Sequence, residues 1–117
     1  MKNGLFVDSD GSQYWYLNGK RHREGGPAVI YADGTQKWYL NGKIHREAGP
    51  AFLSPSNHKE WYLNDKCHRE DGPAIIDADG SQWWFLNGVE YSFEEYVDCI
   101  FPEDSPKRTL FLLNWSQ

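Results

Sequence analysis

The chain repeats itself every 23 residues, and no other property narrows its folding options as far. Residues 11–33 read GSQYWYLNGKRHREGGPAVIYAD, 34–56 read GTQKWYLNGKIHREAGPAFLSPS and 57–79 read NHKEWYLNDKCHREDGPAIIDAD. A fourth copy opens at Gly80 as GSQWWFLNGVEYS and breaks off, and Leu5–Asp10 resemble the tail of an earlier copy. The spacing never slips. Trp15, Trp38, Trp61 and Trp84 are each 23 apart, as are His22, His45 and His68.

Each copy carries two turn signals. Asn18-Gly19, Asn41-Gly42 and Asn87-Gly88 suit type I′ hairpins, in which both central residues take positive φ. Asp10-Gly11, Asp33-Gly34 and Asp79-Gly80 form the second set. Copy three has Asn64-Asp65 and Pro55-Ser56-Asn57 at these places, so its turns are expected to be kept with local irregularity.

Two-residue turns would set Leu17 opposite Lys20, Trp15 opposite His22, Val29 opposite Trp38 and Ala28 opposite Tyr39. Side chains alternate along a strand. One face then holds the four Trp residues with Leu17, Leu40, Leu63 and Leu86, joined by Phe6, Val29, Phe52 and Ile75, and is the expected core. The other holds Tyr16, Tyr39, Tyr62 and Phe85, with a varying column of Tyr14, Lys37, Glu60 and Trp83. Gly26-Pro27, Gly49-Pro50 and Gly72-Pro73 should interrupt the longer strand of each copy, because Pro lacks a donor and holds its neighbour extended. The expected fold is mainly β, an array of stacked antiparallel hairpins over residues 5–91.

Residues 92–117 differ. Ser92-Phe93-Glu94-Glu95 has the form of a capping box, and Phe93, Tyr96, Val97, Ile100 and Phe101 fall on one helical face before Pro102. A helix over 93–101 should cover the open end of the array. Lys107–Trp115 reads as a final strand, closing the fold or forming a homodimer contact. With 117 residues the whole chain is expected to be one domain.

Six Trp, seven Tyr and six Phe mean that rings meet rings in any core or interface. A net charge of −5 argues against nucleic acid as partner, since duplex binding needs clustered cations. Cys67 and Cys99 make no C-x-x-C, which favours a reduced compartment. Met1–Asp8 has no leader-like apolar run and no segment could span a bilayer, so a cytoplasmic chain without membrane contact is expected.

The unit W-Y-L-N-G-K-x-H-R-E-x-G-P-A resembles a variant of the MORN repeat over residues 5–91. The shared parts are an aromatic strand, an N-G turn, a K-x-H run, a Gly-containing break and a D-G or N-G return. The variant looks like repeats of bacteriophages and large DNA viruses. The resemblance implies a hairpin array for protein contact, with no catalytic residues to carry over.

The His-Arg-Glu triplets invite a chemical role. Zinc holds imidazole nitrogens at about 2.0–2.1 Å, so ligand atoms sit within about 4 Å of each other. Equivalent residues of stacked hairpins lie about 9–10 Å apart, two strand spacings. His22, His45 and His68 should therefore form a ladder and not a metal cage. A nucleophile–base pair should occur once with its own orienting partner, whereas this triplet recurs three times and no Ser or Cys recurs with it. No G-x-x-x-x-G-K loop is present either. No metal, cofactor or catalytic residue is assigned. Arg23, Arg46 and Arg69 are expected to pair with Glu24, Glu47 and Glu70, or to cap carbonyls freed at the Gly-Pro break.

The expected function is non-enzymatic protein binding, in the setting the resemblance implies a phage product that blocks a host or defence protein in the host cytoplasm. The candidate contact residues are Tyr14, Tyr16, Arg23, Lys37, Tyr39, Arg46, Glu60, Tyr62, Arg69 and Trp83. The alternatives are a small-molecule or nucleotide site in an aromatic cleft, and a structural or assembly protein.

Overall fold

A computed structural model describes residues 1–115 of the chain. The first strands are β1 (Gly4–Val7), β2 (Gln13–Leu17), β3 (Lys20–Arg21) and β4 (Val29–Ile30). The second copy gives β5 (Gln36–Lys37), β6 (Tyr39–Leu40), β7 (Lys43–Ile44) and β8 (Phe52–Leu53). The third gives β9 (Lys59–Glu60), β10 (Tyr62–Leu63), β11 (Lys66–Cys67) and β12 (Ile75–Ile76). Then come β13 (Gln82–Leu86), β14 (Val89–Tyr91) and two helices, α1 (Phe93–Ile100) and α2 (Pro106–Trp115).

The expected mainly β hairpin array is what forms. The main sheet is an antiparallel meander in the order β1-β2-β4-β5-β8-β9-β12-β13-β14, with β3 beside β2. The tips β6–β7 and β10–β11 split off as two-stranded sheets. The body measures 52 × 28 × 21 Å with a radius of gyration of 16.6 Å, against about 13 Å for a compact domain of this length. That elongation follows from copies touching only their neighbours.

The Asn-Gly tips behave as expected: Asn18, Gly19, Asn41, Gly42, Asn87 and Gly88 all have positive φ, and Leu17 lies opposite Lys20. Asn64 and Asp65 do the same in copy three, without the expected irregularity. There Asp65 adds a bond, its carboxylate accepting from Ile44 N–H at 2.8 Å.

The Asp-Gly returns are different. Only the Gly takes positive φ, at Gly11, Gly34 and Gly80, and Asn57 takes that place in copy three. Tyr31 N–H donates to Thr35 O and Gly34 N–H to Tyr31 O, which encloses residues 32–34 in a three-residue loop with a left-handed Gly. The extra residue shifts the register by one. Val29 lies opposite Lys37, not Trp38. A one-residue slip turns a strand over. Phe6, Val29, Phe52 and Ile75 therefore alternate with Tyr14, Lys37, Glu60 and Trp83 across the Tyr face.

The expected core moves accordingly. Trp15, Trp38 and Trp61 are only half-buried, and Leu17 is exposed. Within the array Ala28, Ala51 and Ala74 are fully buried, and so is Val29, as expected of a core residue. Among the described residues, a cluster of large buried side chains lies at the C-terminal end, where Trp84, Tyr96, Val97 and Phe111 pack together. The helix α1 carries the expected capping box, with Ser92 Oγ accepting from Glu95 N–H and Glu95 Oε1 from Ser92 N–H.

Residues 107–115 are not a strand. Ser105 Oγ accepts from Arg108 N–H at 3.1 Å, Pro106 begins the helix, and Phe111 and Trp115 at i, i+4 face Trp84. For contact between copies this segment offers a helix surface, with Leu110 and Leu113 exposed, and not a strand edge.

Candidate functional site

The His-Arg-Glu triplets occupy loops that leave the sheet between the tip strands β3, β7 and β11 and the strands β4, β8 and β12. Within each triplet the three side chains have separate tasks. His22 Nδ1 accepts the N–H of Asn41 at 2.9 Å, His45 Nδ1 that of Asn64 at 3.0 Å, and His68 Nδ1 that of Asn87 at 2.9 Å. A backbone N–H can only donate, so these rings carry their proton on Nε2. That nitrogen faces Glu24 at 3.8 Å, Glu47 at 3.6 Å and Glu70 at 3.2 Å. Each copy thus clips the hairpin tip of the next. Asn3 does the same for the first tip, its Oδ1 accepting from Asn18 N–H at 2.9 Å.

The arginines lie over their own copy's Trp. Guanidinium carbon to ring centroid is 3.9 Å for Arg23–Trp15 and 4.0 Å for both Arg46–Trp38 and Arg69–Trp61. Each also donates through Nη1 to a Pro carbonyl, Arg23 to Pro27, Arg46 to Pro50 and Arg69 to Pro73. The carbonyl-capping role is the one that forms. The carboxylate partner of Arg69 is Asp71 at 2.8 Å, while Glu70 serves His68.

These loops make a groove at each junction. The first, of about 410 Å³, lies between the loop Arg23–Gly26 and a floor of Trp38, Leu40 and His45, with Ala48 on the far wall. The second, of about 470 Å³, lies between Arg46–Pro50 and a floor of Trp61, Leu63 and His68. Ala48 borders both.

The ten residues singled out from sequence divide between two faces. Arg23, Arg46 and Arg69 lie on the Trp side, beside the grooves. Tyr14, Tyr16, Lys37, Tyr39, Glu60, Tyr62 and Trp83 lie on the other, all half-buried. There Arg21 stands 5.6 Å from the rings of both Tyr14 and Tyr39, and Lys37 stands over Tyr31 at 5.2 Å and Phe52 at 5.5 Å.

Copy three adds a polar chain to that second face. His58 Nδ1 bonds Asp77 at 3.0 Å, its Nε2 bonds Glu60 at 2.6 Å, and Tyr62 O–H donates to Glu60 at 2.6 Å. The bond to Glu60 chiefly, with Asp77 helping against partial burial, raises the His58 pKa. Burial, then Glu60, pushes the Tyr62 hydroxyl up. Burial also raises the neighbouring Cys67 thiol to about 12. His58 occurs in one copy only, and the place of Asp77 holds Tyr31 and Ser54 in the two full copies before it, so the 23-residue repeat does not reveal the pair. The groove floor escapes it because Trp38, Leu40, Trp61 and Leu63 look like core.

Among the described residues, no group of three or more His, Cys, Asp or Glu side chains could hold a metal ion. None of their helices is long and apolar enough to cross a membrane. Fold and grooves together define an antiparallel β-hairpin repeat protein with a helical end-cap. No family model matches the chain, and no curated protein is significantly similar to it.

Proposed function

We propose that the chain is a non-enzymatic protein-binding module that meets its partner on the grooved Trp–Arg face. The observation that carries this is the recurrence of one aromatic-floored, charge-rimmed groove at successive junctions. Interfaces draw their energy from Trp, Tyr and Arg set in pockets within a polar rim. Here Trp and Arg are prearranged by the fold, so little rotamer freedom is lost on contact. The charged rim carries both signs, which favours a protein surface over a polyanion.

The MORN-like repeat adds a setting. In it the chain is a phage-encoded inhibitor that acts on a host or defence-system protein in the host cytoplasm.

The test is affinity capture from host extract with the intact chain, read by mass spectrometry. A stoichiometric partner held by the native chain and by Tyr16→Ala, but lost with Ala48→Trp, is the expected result. A partner lost with Tyr16→Ala and kept with Ala48→Trp would place binding on the Tyr face.

A further inference from the structure

The fourth copy shows what such a groove receives. By the 23-residue offset, the loop Arg69–Gly72 and Trp84 correspond to Arg46–Gly49 and Trp61, and to Arg23–Gly26 and Trp38. In this third groove side chains occupy the space between the loop and Trp84, and the open volume beside Trp84 lies instead against Gly80–Gln82 and Glu94. Trp115 lies 5.7 Å from Arg69 and 5.9 Å from Trp84, and a Cβ on Gly72 would meet its ring at 3.0 Å. Tyr96 reaches across to donate its hydroxyl to Arg69 O, and Phe111 closes over Trp84 at 6.1 Å. The occupants are aromatic side chains presented by helices.

The sequence explains why this copy differs. Where the others have His-Arg-Glu, it has Tyr91-Ser92-Phe93. Ser92 leaves Trp84 without an arginine cover and starts α1 instead, and Phe93 packs at a tilt against Trp84, with 4.9 Å between ring centroids. No segment among the described residues enters the first two grooves.

We propose that these two grooves take one amphipathic helix of a partner protein, which inserts an aromatic side chain into each. This rests on the grooved face being the binding face. Successive grooves lie one copy apart, about 9–10 Å. A helix rises about 1.5 Å per residue, so its two aromatics stand about seven positions apart, two turns along one face. Each aromatic ring enters beside the Trp38–Arg46 or Trp61–Arg69 stack, next to Gly26 or Gly49 as Trp115 lies next to Gly72, and polar residues of the same helix meet Glu24, Glu47 and Glu70 at the rim.

The experiment uses the intact, isotopically labelled chain and three synthetic probes. They are an alanine-rich helix with two tryptophans seven positions apart, the same helix with the spacing changed to five, and an extended peptide with two tryptophans three apart. The expected result is that the first probe shifts the indole resonances of Trp38 and Trp61, leaves that of Trp84 in place, and binds about tenfold tighter than the second. Ala48→Trp and, as a second groove-filling variant, Glu47→Trp should each remove the shifts. If the extended peptide binds equally well at the same indoles, the helix is overturned and the grooves stand. If no probe moves either indole at about 1 mM, the proposal is overturned, and capture with Ala48→Trp separately decides the face.

Discussion

His45 of one copy holds Asn64 of the next: its Nδ1 accepts the Asn64 N–H at 3.0 Å. The same bond recurs from His22 to Asn41 and from His68 to Asn87. His45→Ala leaves that tip amide to water and should cost about 1 kcal/mol, or about 4 °C in thermal unfolding. Long-range nitrogen–proton NMR should find all three rings in the Nε2–H form. An Nδ1–H tautomer in any of them would contradict the clip.

Arg46 combines a stack on Trp38 with a bond to Pro50 O. Arg46→Ala removes both and should cost about 2 kcal/mol in denaturant unfolding. Arg46→Lys keeps the charge but loses the planar stack and the forked donor, and should recover only about half. Equal stability of the Lys variant and the native chain would show that charge alone matters.

The raised His58 pKa fixes the sign of one pH effect. A group whose folded pKa exceeds its unfolded value contributes fully below the unfolded value, about 6.5, and loses that contribution as pH rises through the folded one. The stability difference between the native chain and His58→Gln should therefore be larger at about pH 5.5 than at about pH 9. A difference that grows with pH would contradict the His58–Glu60 pairing.

The two thiols should separate cleanly. Cys99 is exposed, while Cys67 is buried with its pKa raised to about 12. The thiolate is the reactive form. An alkylating reagent at neutral pH should label Cys99 alone in the native chain, and Cys67 only after denaturation, as peptide mass mapping would show.

The hairpin architecture was legible because turn residues and spacing specify it locally. The register was not wholly so. Asn-Gly and Asp-Gly look alike in sequence, yet Asn18 and Asn41 enter the left-handed region and Asp10, Asp33 and Asp79 do not. Asp33 instead accepts the N–H of Thr35 at 2.8 Å, which fixes a three-residue loop. That one added residue carried Val29 and its equivalents to the Tyr face.

The last helix is ambiguous in sequence for a related reason. The run Leu110–Leu113 suits a strand as well as a helix, and Ser105-Pro106 was the signal that separates them. At the candidate site, the Trp row reads as interior in sequence because aromatic periodicity marks a face without saying what covers it. Among the described residues, helices cover the Trp row at the fourth copy alone, where Ser92 stands in place of the arginine.

The clips also give the array a direction. Every tip leans on the residues before it: Asn3, His22, His45 and His68 each reach forward, and the final hairpin is secured by helices that match no other copy. Such a chain can be elongated by inserting whole 23-residue units between the second and third copies, because each newcomer brings its own latch and receives one. Length, and with it the number of grooves, becomes a quantity that duplication can adjust without redesigning either terminus.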